Sequence, residues 1–412
     1  MPAIAIVGAL DTKGEENAFI RDVILGRGVD TIVVDTGVLG SPAFVADVSR
    51  EEVAEAGGRQ LAELVAEADR GSAVTTMAAG AEQIVLRLFE EGRIQGALAL
   101  GGTGGTSVAA QAFRSLPLGV PKEVIVSTAA SGSTEMYVRE TDLVLFPSVT
   151  DVAGLNRISI PILANAANAV VGMVTGTAQE VAGTRPLVAA SMFGVTTPAV
   201  THARERLEGL GYEVLVFHMT GTGGRTLESL VDQGVIAGVL DVTTTELADN
   251  LVGGIFDAGE DRVTAAGRRG VPQVVSVGAL DMVNFGPRET VPPRFADRLF
   301  YQHNPTTTLM RTTAAECVEL GARLGRRLAA ATGPTAVVLP LRGVSALDTE
   351  GAAFHDPLAD RALFDGVRAG IQNSAVRLVE LDADMNDPEV ADAMVDLLDA
   401  MIRSDNSKQE AR

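Results

Sequence analysis

Two short glycine-threonine runs are the residues best suited to chemistry. Gly101, Gly102, Thr103, Gly104, Gly105 and Thr106 follow the apolar run ALAL, and Gly221, Thr222, Gly223 and Gly224 follow EVLVFH closely. Such loops present successive backbone N–H groups without side chains in the way. They also open helices whose N-termini carry partial positive charge, so the matching ligand is a phosphate. The first run makes the better cradle, while Arg225 could add charge at the second. Neither run is a P-loop, because no Lys-Ser/Thr pair follows the glycines, and the third glycine of the dinucleotide fingerprint is absent. A tight turn that packs a helix on its strand also requires glycine, and that reading stays open for both runs.

Lysine is rare: only Lys13, Lys122 and Lys408 occur, so positive charge otherwise comes from arginine. A lysine at the first turn of a helix opposes the helix dipole, and Lys13, in the loop with Asp11 and Thr12, is therefore a candidate for a point-charge phosphate contact. Its alternative is a solvated surface lysine. Lys122, just before a strand, reads as structural. Further loops at strand ends add Ser131 and Gly132 in STAASGS and Thr244 in LDVTTTEL. Asp11, Asp241, Asp281 and Asp348 stand at or near strand ends, where a carboxylate either reaches Mg²⁺ through water or caps a helix. Lys13, His218 and Asp281 are the candidate catalytic groups, and Asp11 or Asp281 the candidate Mg²⁺ contacts. His202, His218, His303 and His355 are too dispersed for a zinc site, and no Ser-His-Asp order is present.

These loops need strands to position them. AIAIVG, TIVVD, SAVTTM, ALALGG, EVIVST and DLVLFP read as strands of the first half, and LVAASMFG, EVLVFH, VIAGVLD, QVVSVG, AVVLPL and VRLVEL of the second. Their spacing by helix-length segments predicts parallel sheets buried on both faces, hence an α/β chain of two Rossmann-like or flavodoxin-like doubly wound domains. The expected limits are 1–183 and 184–405, with a polar, disordered tail over 406–412. Thr12 with Glu15 and Ser49 with Glu52 have capping-box spacing, Thr197-Pro198 reads as a helix start, and Gly211 as a helix end. The segment from Gly154 to Gly176 reads as one long helix crossing from the first domain to the second, and YQHNP as a loop. GALD recurs at Gly8 and Gly278, and GTGG at Gly102 and Gly221, which raises the possibility of duplication.

The composition excludes several classes. With 33 Lys+Arg against 53 Asp+Glu the formal charge is -20, which disfavours nucleic acid and anionic membranes. The single cysteine, Cys317, reads as the buried face of a helix. No signal peptide or membrane span is legible, so a cytoplasmic location is expected.

VGALDTKGEE, VVDTGVLG, LALGGTGGTSVA, DVAGLNRIS, SMFGVTTP, VFHMTGTGGR, GVLDVTTTEL, SVGALDMVNFGP, HNPTTTLMRTT and LPLRGVSALD, taken in order, give the chain a resemblance over nearly its whole length. It resembles the family containing the ATP-binding N-terminal domain of the tomato mosaic virus resistance protein, whose bacterial members are mostly catalogued as an uncharacterised protein family. The resemblance implies two Rossmann-like subdomains, ATP with Mg²⁺ in the cleft between them, and a homodimer. Plant and fungal relatives carry an added TIM barrel resembling phosphoenolpyruvate-handling enzymes, so a separate barrel protein is an expected partner. Two functions follow as expectations: an ATP- and Mg²⁺-dependent enzyme acting on a small molecule, or a non-catalytic nucleotide-binding module working through a partner.

Overall fold

A computed structural model describes residues 1–127, 134–176 and 185–410. The chain divides into two compact units, Met1–Glu180 and Val181–Arg412. The expected boundary at 183/184, and the candidates Ser131 and Gly132, lie outside the described residues.

Unit 1 runs β1 (Ala3–Gly8), α1 (Gly14–Leu25), β2 (Asp30–Asp35), α2 (Arg50–Ala56), α3 (Leu61–Glu67), α4 (Arg70–Glu90), β3 (Gly96–Gly101), α5 (Thr103–Arg114), β4 (Lys122–Val126), α6 (Glu135–Val138), β5 (Val144–Pro147) and α7 (Ser159–Thr175). Its strands form a parallel sheet in the order β2-β1-β3-β4-β5. The order is flavodoxin-like, and the chain reverses direction across the sheet between β1 and β3. Side chains alternate between two buried faces. Ile4, Ile6, Leu98 and Leu100 pack with Leu163, Ala166 and Val170 of α7. Ala5, Val7, Ala97 and Ala99 pack with Met77 and Ile84 of α4 and with Val108 of α5. Burial on both faces is why these strands read as unbroken apolar runs.

Several expectations are corrected here. SAVTTM is helical, inside α4; its β-branched Val-Thr-Thr resembles a strand, but Ala73, Met77, Ala81, Ile84, Val85 and Leu88 continue one apolar helical face. The segment from Gly154 is helical only from Ser159, and this helix packs within unit 1. Thr12 does not cap α1: Lys13 holds the cap position, with no side-chain cap hydrogen bond among the described residues. Ser49 and Glu52 do form a capping box at α2. Lys122 is buried, donating to the carbonyls of Pro117 and Val120 and pairing with Asp142.

Glu123, in β4, is fully buried, and neither carboxylate oxygen has a partner among the described residues. Burial pushes its carboxyl up from the usual 4.5 to about 7. The folded chain therefore holds this proton more tightly than the unfolded chain, and stability is lost as the pH rises from 4.5 through about 7. A shift of this size is worth about 3 kcal/mol. Glu123→Gln is expected to remove that loss, so urea melts at pH 5 and pH 8 should converge relative to wild type. A variant with the wild-type pH slope would contradict the assignment.

Unit 2 runs β6 (Leu187–Met192), α8 (Thr197–Gly209), β7 (Glu213–His218), α9 (Thr222–Asp232), β8 (Gly238–Thr243), α10 (Glu246–Val252), α11 (Ala265–Arg269), β9 (Gln273–Gly278), β10 (Met282–Phe285), β11 (Phe300–Asn304), β12 (Thr307–Arg311), α12 (Ala314–Ala329), β13 (Thr335–Pro340), α13 (Pro357–Gly370), β14 (Arg377–Leu381) and α14 (Pro388–Glu410). The main sheet is parallel and ordered β14-β13-β9-β8-β6-β7. A small antiparallel sheet, β10-β12-β11, was not expected; His303 and Asn304 lie in its strand β11 rather than in a loop. Thr196, not Thr197, precedes α8, and Gly211 follows it with φ at +96°. Cys317 is buried on α12, as expected. α14 continues as helix to Glu410, into the stretch expected to be loose.

The repeated tetrapeptides do not mark equivalent places. GALD follows the first strand of unit 1 but the fourth of unit 2, and GTGG follows the third strand of unit 1 but the second of unit 2. No helix among the described residues is long and apolar enough to cross a membrane.

Candidate functional site

In open parallel sheets a ligand finds room at the carboxyl ends of the strands, where neighbouring chains leave in opposite directions. In unit 1 that place is between β1 and β3. A cleft of about 480 Å³ opens there, lined by Asp11 and Thr12 after β1, Gly37 and Leu39 after β2, and Gly104 and Gly105 at the start of α5. Leu64, Val74, Met77 and Val108 give it an apolar wall, and Arg70 is a cation on it.

The glycines of this turn are not alike. A Cβ on Gly101 would lie 2.6 Å from the carbonyl carbon of Gly105, so that glycine is required by the turn itself. Among the described residues, a Cβ on Gly104 would meet nothing nearer than Val74 Cγ2 at 3.5 Å, and one on Gly105 nothing nearer than the Leu100 carbonyl at 3.7 Å. Neither has a left-handed φ, so packing among the described residues gives no reason for glycine at either position. Gly102 occupies the cap position of α5, with no side-chain cap of its amides among the described residues, and Thr106 is buried, its hydroxyl donating to the Gly101 carbonyl at 3.2 Å. Thr103 opens the helix.

Unsatisfied polar atoms gather at the same edge. Asp11 Oδ1, Asn17 Oδ1, Ser127 Oγ and Thr150 Oγ1 are buried without a hydrogen-bond partner among the described residues. Asp11 is oriented by its other oxygen, which accepts from the amides of Leu39 at 2.7 Å and Gly40 at 3.2 Å. Nearby Asp35 accepts from Leu10 and Gly37, and burial raises its carboxyl above the usual range. Lys13 does not line the cleft; its ammonium donates to the carbonyl of Val152. Arg70 does, at the first residue of α4, and it makes no ion pair or hydrogen bond among the described residues.

The second glycine run is built differently. Gly221 and Gly224 donate their amides to Glu246 Oε1 at 2.7 and 3.0 Å. A Cβ on Gly223 would lie 1.9 Å from the His218 carbonyl, and one on Gly224 2.0 Å from Glu246 Oε2. The run therefore packs α9 against its strand and spends its amides on an internal carboxylate, while Thr222 starts the helix. Glu246 is held in turn by the buried Arg262 at 2.7 Å, and Arg262 also clasps Asp241 through two bonds of 2.5 and 2.7 Å. Between β6 and β8, the Thr196 and Thr243 hydroxyls meet at 2.7 Å, and Phe193, Val195, Met282 and Phe354 pack together nearby. Thr244 is buried, bonded to the carbonyls of Ser276 and Gly278.

The remaining candidates lie in unit 2. His218 stacks on Phe193 at 5.3 Å, and partial burial lowers its basicity. Asp281 is sealed from solvent, with one oxygen accepting from Ser345 at 2.8 Å and the other without a partner among the described residues; burial pushes its carboxyl up to about 6. Asp348 shares Arg311 with Asp360 and is pushed up to about 9 by burial and by Asp281. No group of three potential ligands holds a metal-like geometry among the described residues.

Models for the N-terminal and C-terminal domains of uncharacterised protein family UPF0261 match residues 2–179 and 185–402. The chain belongs to this family. A UPF0261 protein of Clostridium tetani is 50% identical over 391 residues, covering 95% of this chain and 96% of that one. One from Rhizobium meliloti is 46% identical over 396 residues, covering 96% and 98%. The ToMV resistance protein Tm-1(GCR237) of Solanum lycopersicum is 46% identical over 333 residues, 79% of this chain but 44% of the tomato protein. The sequence did not point to Arg70 on the cleft wall or to Ser127 at the same strand edge. Arg70 had one signal: a cation directly after the helix cap Asp69, where the dipole disfavours it. Ser127 had none.

Proposed function

We propose that this UPF0261 protein binds ATP in the unit 1 cleft, with phosphates on the amides at the start of α5. The observation that carries the reading is the pair Gly104 and Gly105, glycine without a packing reason, on the wall of a cleft at the β1/β3 reversal. The apolar wall suits a base, and Arg70 suits phosphate charge. Asp11, with a buried oxygen lacking a partner among the described residues, fits a hydrated Mg²⁺; such an ion would neutralise charge on the phosphates.

A second reading, binding without turnover, is favoured by the lining itself, which includes no histidine, lysine or cysteine among the described residues and whose carboxylates, Asp11 and Asp69, already accept from backbone amides. A TIM-barrel partner, expected from the resemblance, belongs to this reading, while a homodimer is compatible with either. ATP bound tightly by the purified chain but not consumed would select it.

Arg70→Ala is expected to weaken ATP about tenfold and AMP much less, since the contact is to the distal phosphates. Lys13→Ala should leave the ATP-to-AMP ratio unchanged, because its ammonium is spent on Val152. Calorimetric titration of both nucleotides checks the pair; a change of ratio with Lys13 and none with Arg70 would reverse the assignment.

A further inference from the structure

Unit 2 carries a second pocket, open and about 620 Å³ in volume, whose wall includes Arg268, Arg323, Arg326 and Arg327 with the hydroxyl residues Thr264 and Thr332. Arg268, Arg326 and Arg327 lie in the last turns of α11 and α12, where the helix dipole favours cations, and they gather here on a chain of formal charge -20. Arg323, Arg326 and Arg327 are spaced so that α12 presents them on one face, where like charges cost a few tenths of a kcal/mol per pair. Their counter-charges are too few. Glu319 serves both Arg323 and Arg326, Asp232 serves both Arg268 and Arg269, and the Glu260 carboxylate is 3.6 Å from Arg327.

Arg327 is the most telling of the set. Its side chain is only 14% exposed, and the carbonyls of Arg262 at 2.9 Å and Glu260 at 2.7 Å fix the guanidinium without neutralising it. Burial, and the cations of Arg323 and Arg262, lower its affinity for the proton. Its carboxylate partner, Glu260, stands on the same wall but is largely exposed, so a guanidinium fixed by carbonyls and facing the pocket can serve as an anion receptor. Gly267 and Thr332 place the pocket at the amino ends of β9 and β13, away from the strand ends where open sheets of this kind do chemistry.

We infer that this arginine pocket binds a phosphorylated small molecule carrying at least two negative charges, gripped by paired guanidinium forks. The inference is independent of the nucleotide cleft in unit 1. Pyrophosphate serves as the probe, titrated calorimetrically into the full chain carrying Gly104→Val, which blocks the cleft. Saturable binding is expected, and adding Arg323→Ala with Arg326→Ala should weaken it at least about tenfold. Those two side chains are 29% and 60% exposed, so the fold should survive their loss. No saturable binding to the Gly104→Val chain, or equal affinity after the arginines are removed, would overturn the proposal.

Discussion

Gly104→Val is expected to abolish ATP binding while leaving the melting temperature close to that of wild type. The two effects separate because a Cβ at Gly104 has ordinary space on the protein side, 3.5 Å from Val74, and projects at the cleft. Helix propensity does not suffer, since glycine is itself a poor residue for the first turn of α5. The loss should be at least about 100-fold in calorimetry, because a branched side chain denies the phosphates the backbone amides. Gly223→Ala is the control, with the opposite pattern. Its Cβ would lie 1.9 Å from a backbone carbonyl, so it should destabilise by about 1–3 kcal/mol without a direct effect on the cleft. Unchanged ATP affinity in Gly104→Val would return this turn to a purely structural role.

The second large effect is on stability. Arg262 is fully buried and bonds Asp241, Glu246 and Glu228 at once. Removing it leaves these carboxylates without their cation in a dry interior, which costs about 3–5 kcal/mol when one partner of a buried pair is lost. Burial already raises the carboxyls of Glu228 and Glu246 above their usual values, against the pull of Arg262. In Arg262→Met that pull is gone, so their folded-state affinity for protons rises further. The stability of the variant should therefore fall more steeply than that of wild type as the pH rises above the ordinary carboxylate range, and acid should narrow the gap between the two proteins. Urea melts at pH 5 and pH 8 measure this directly; a deficit equal at both values would mean that the carboxylates find other partners.

The sheets were legible in the sequence because strands buried on both faces leave continuous apolar runs between helix-length segments. SAVTTM shows the limit of that signal, since six residues of β-branched character cannot be told from part of a helix until the apolar spacing is followed to Leu88. The β10-β12-β11 sheet was hidden because its strands are short and β11 is largely exposed and polar. At the candidate site, composition pointed to two glycine runs and favoured the first, but could not show what occupies the amides of the second. The difference lies in tertiary partners: Glu246, 22 residues along the chain from Gly224, takes the amides of the second run. Lys13 was drawn away by a carbonyl 139 residues distant, and Arg70 stands in its place on the cleft wall. Local sequence carries no record of either contact.

The most direct test of the account is a crystal structure of the protein with a non-hydrolysable ATP analogue. Phosphate oxygens are expected within hydrogen-bond reach of the Gly104 and Gly105 amides, with the Arg70 guanidinium turned toward them and the Gly221 and Gly224 amides still on Glu246. An analogue whose phosphates displace Glu246 from the second glycine run, with the unit 1 cleft empty, would contradict it.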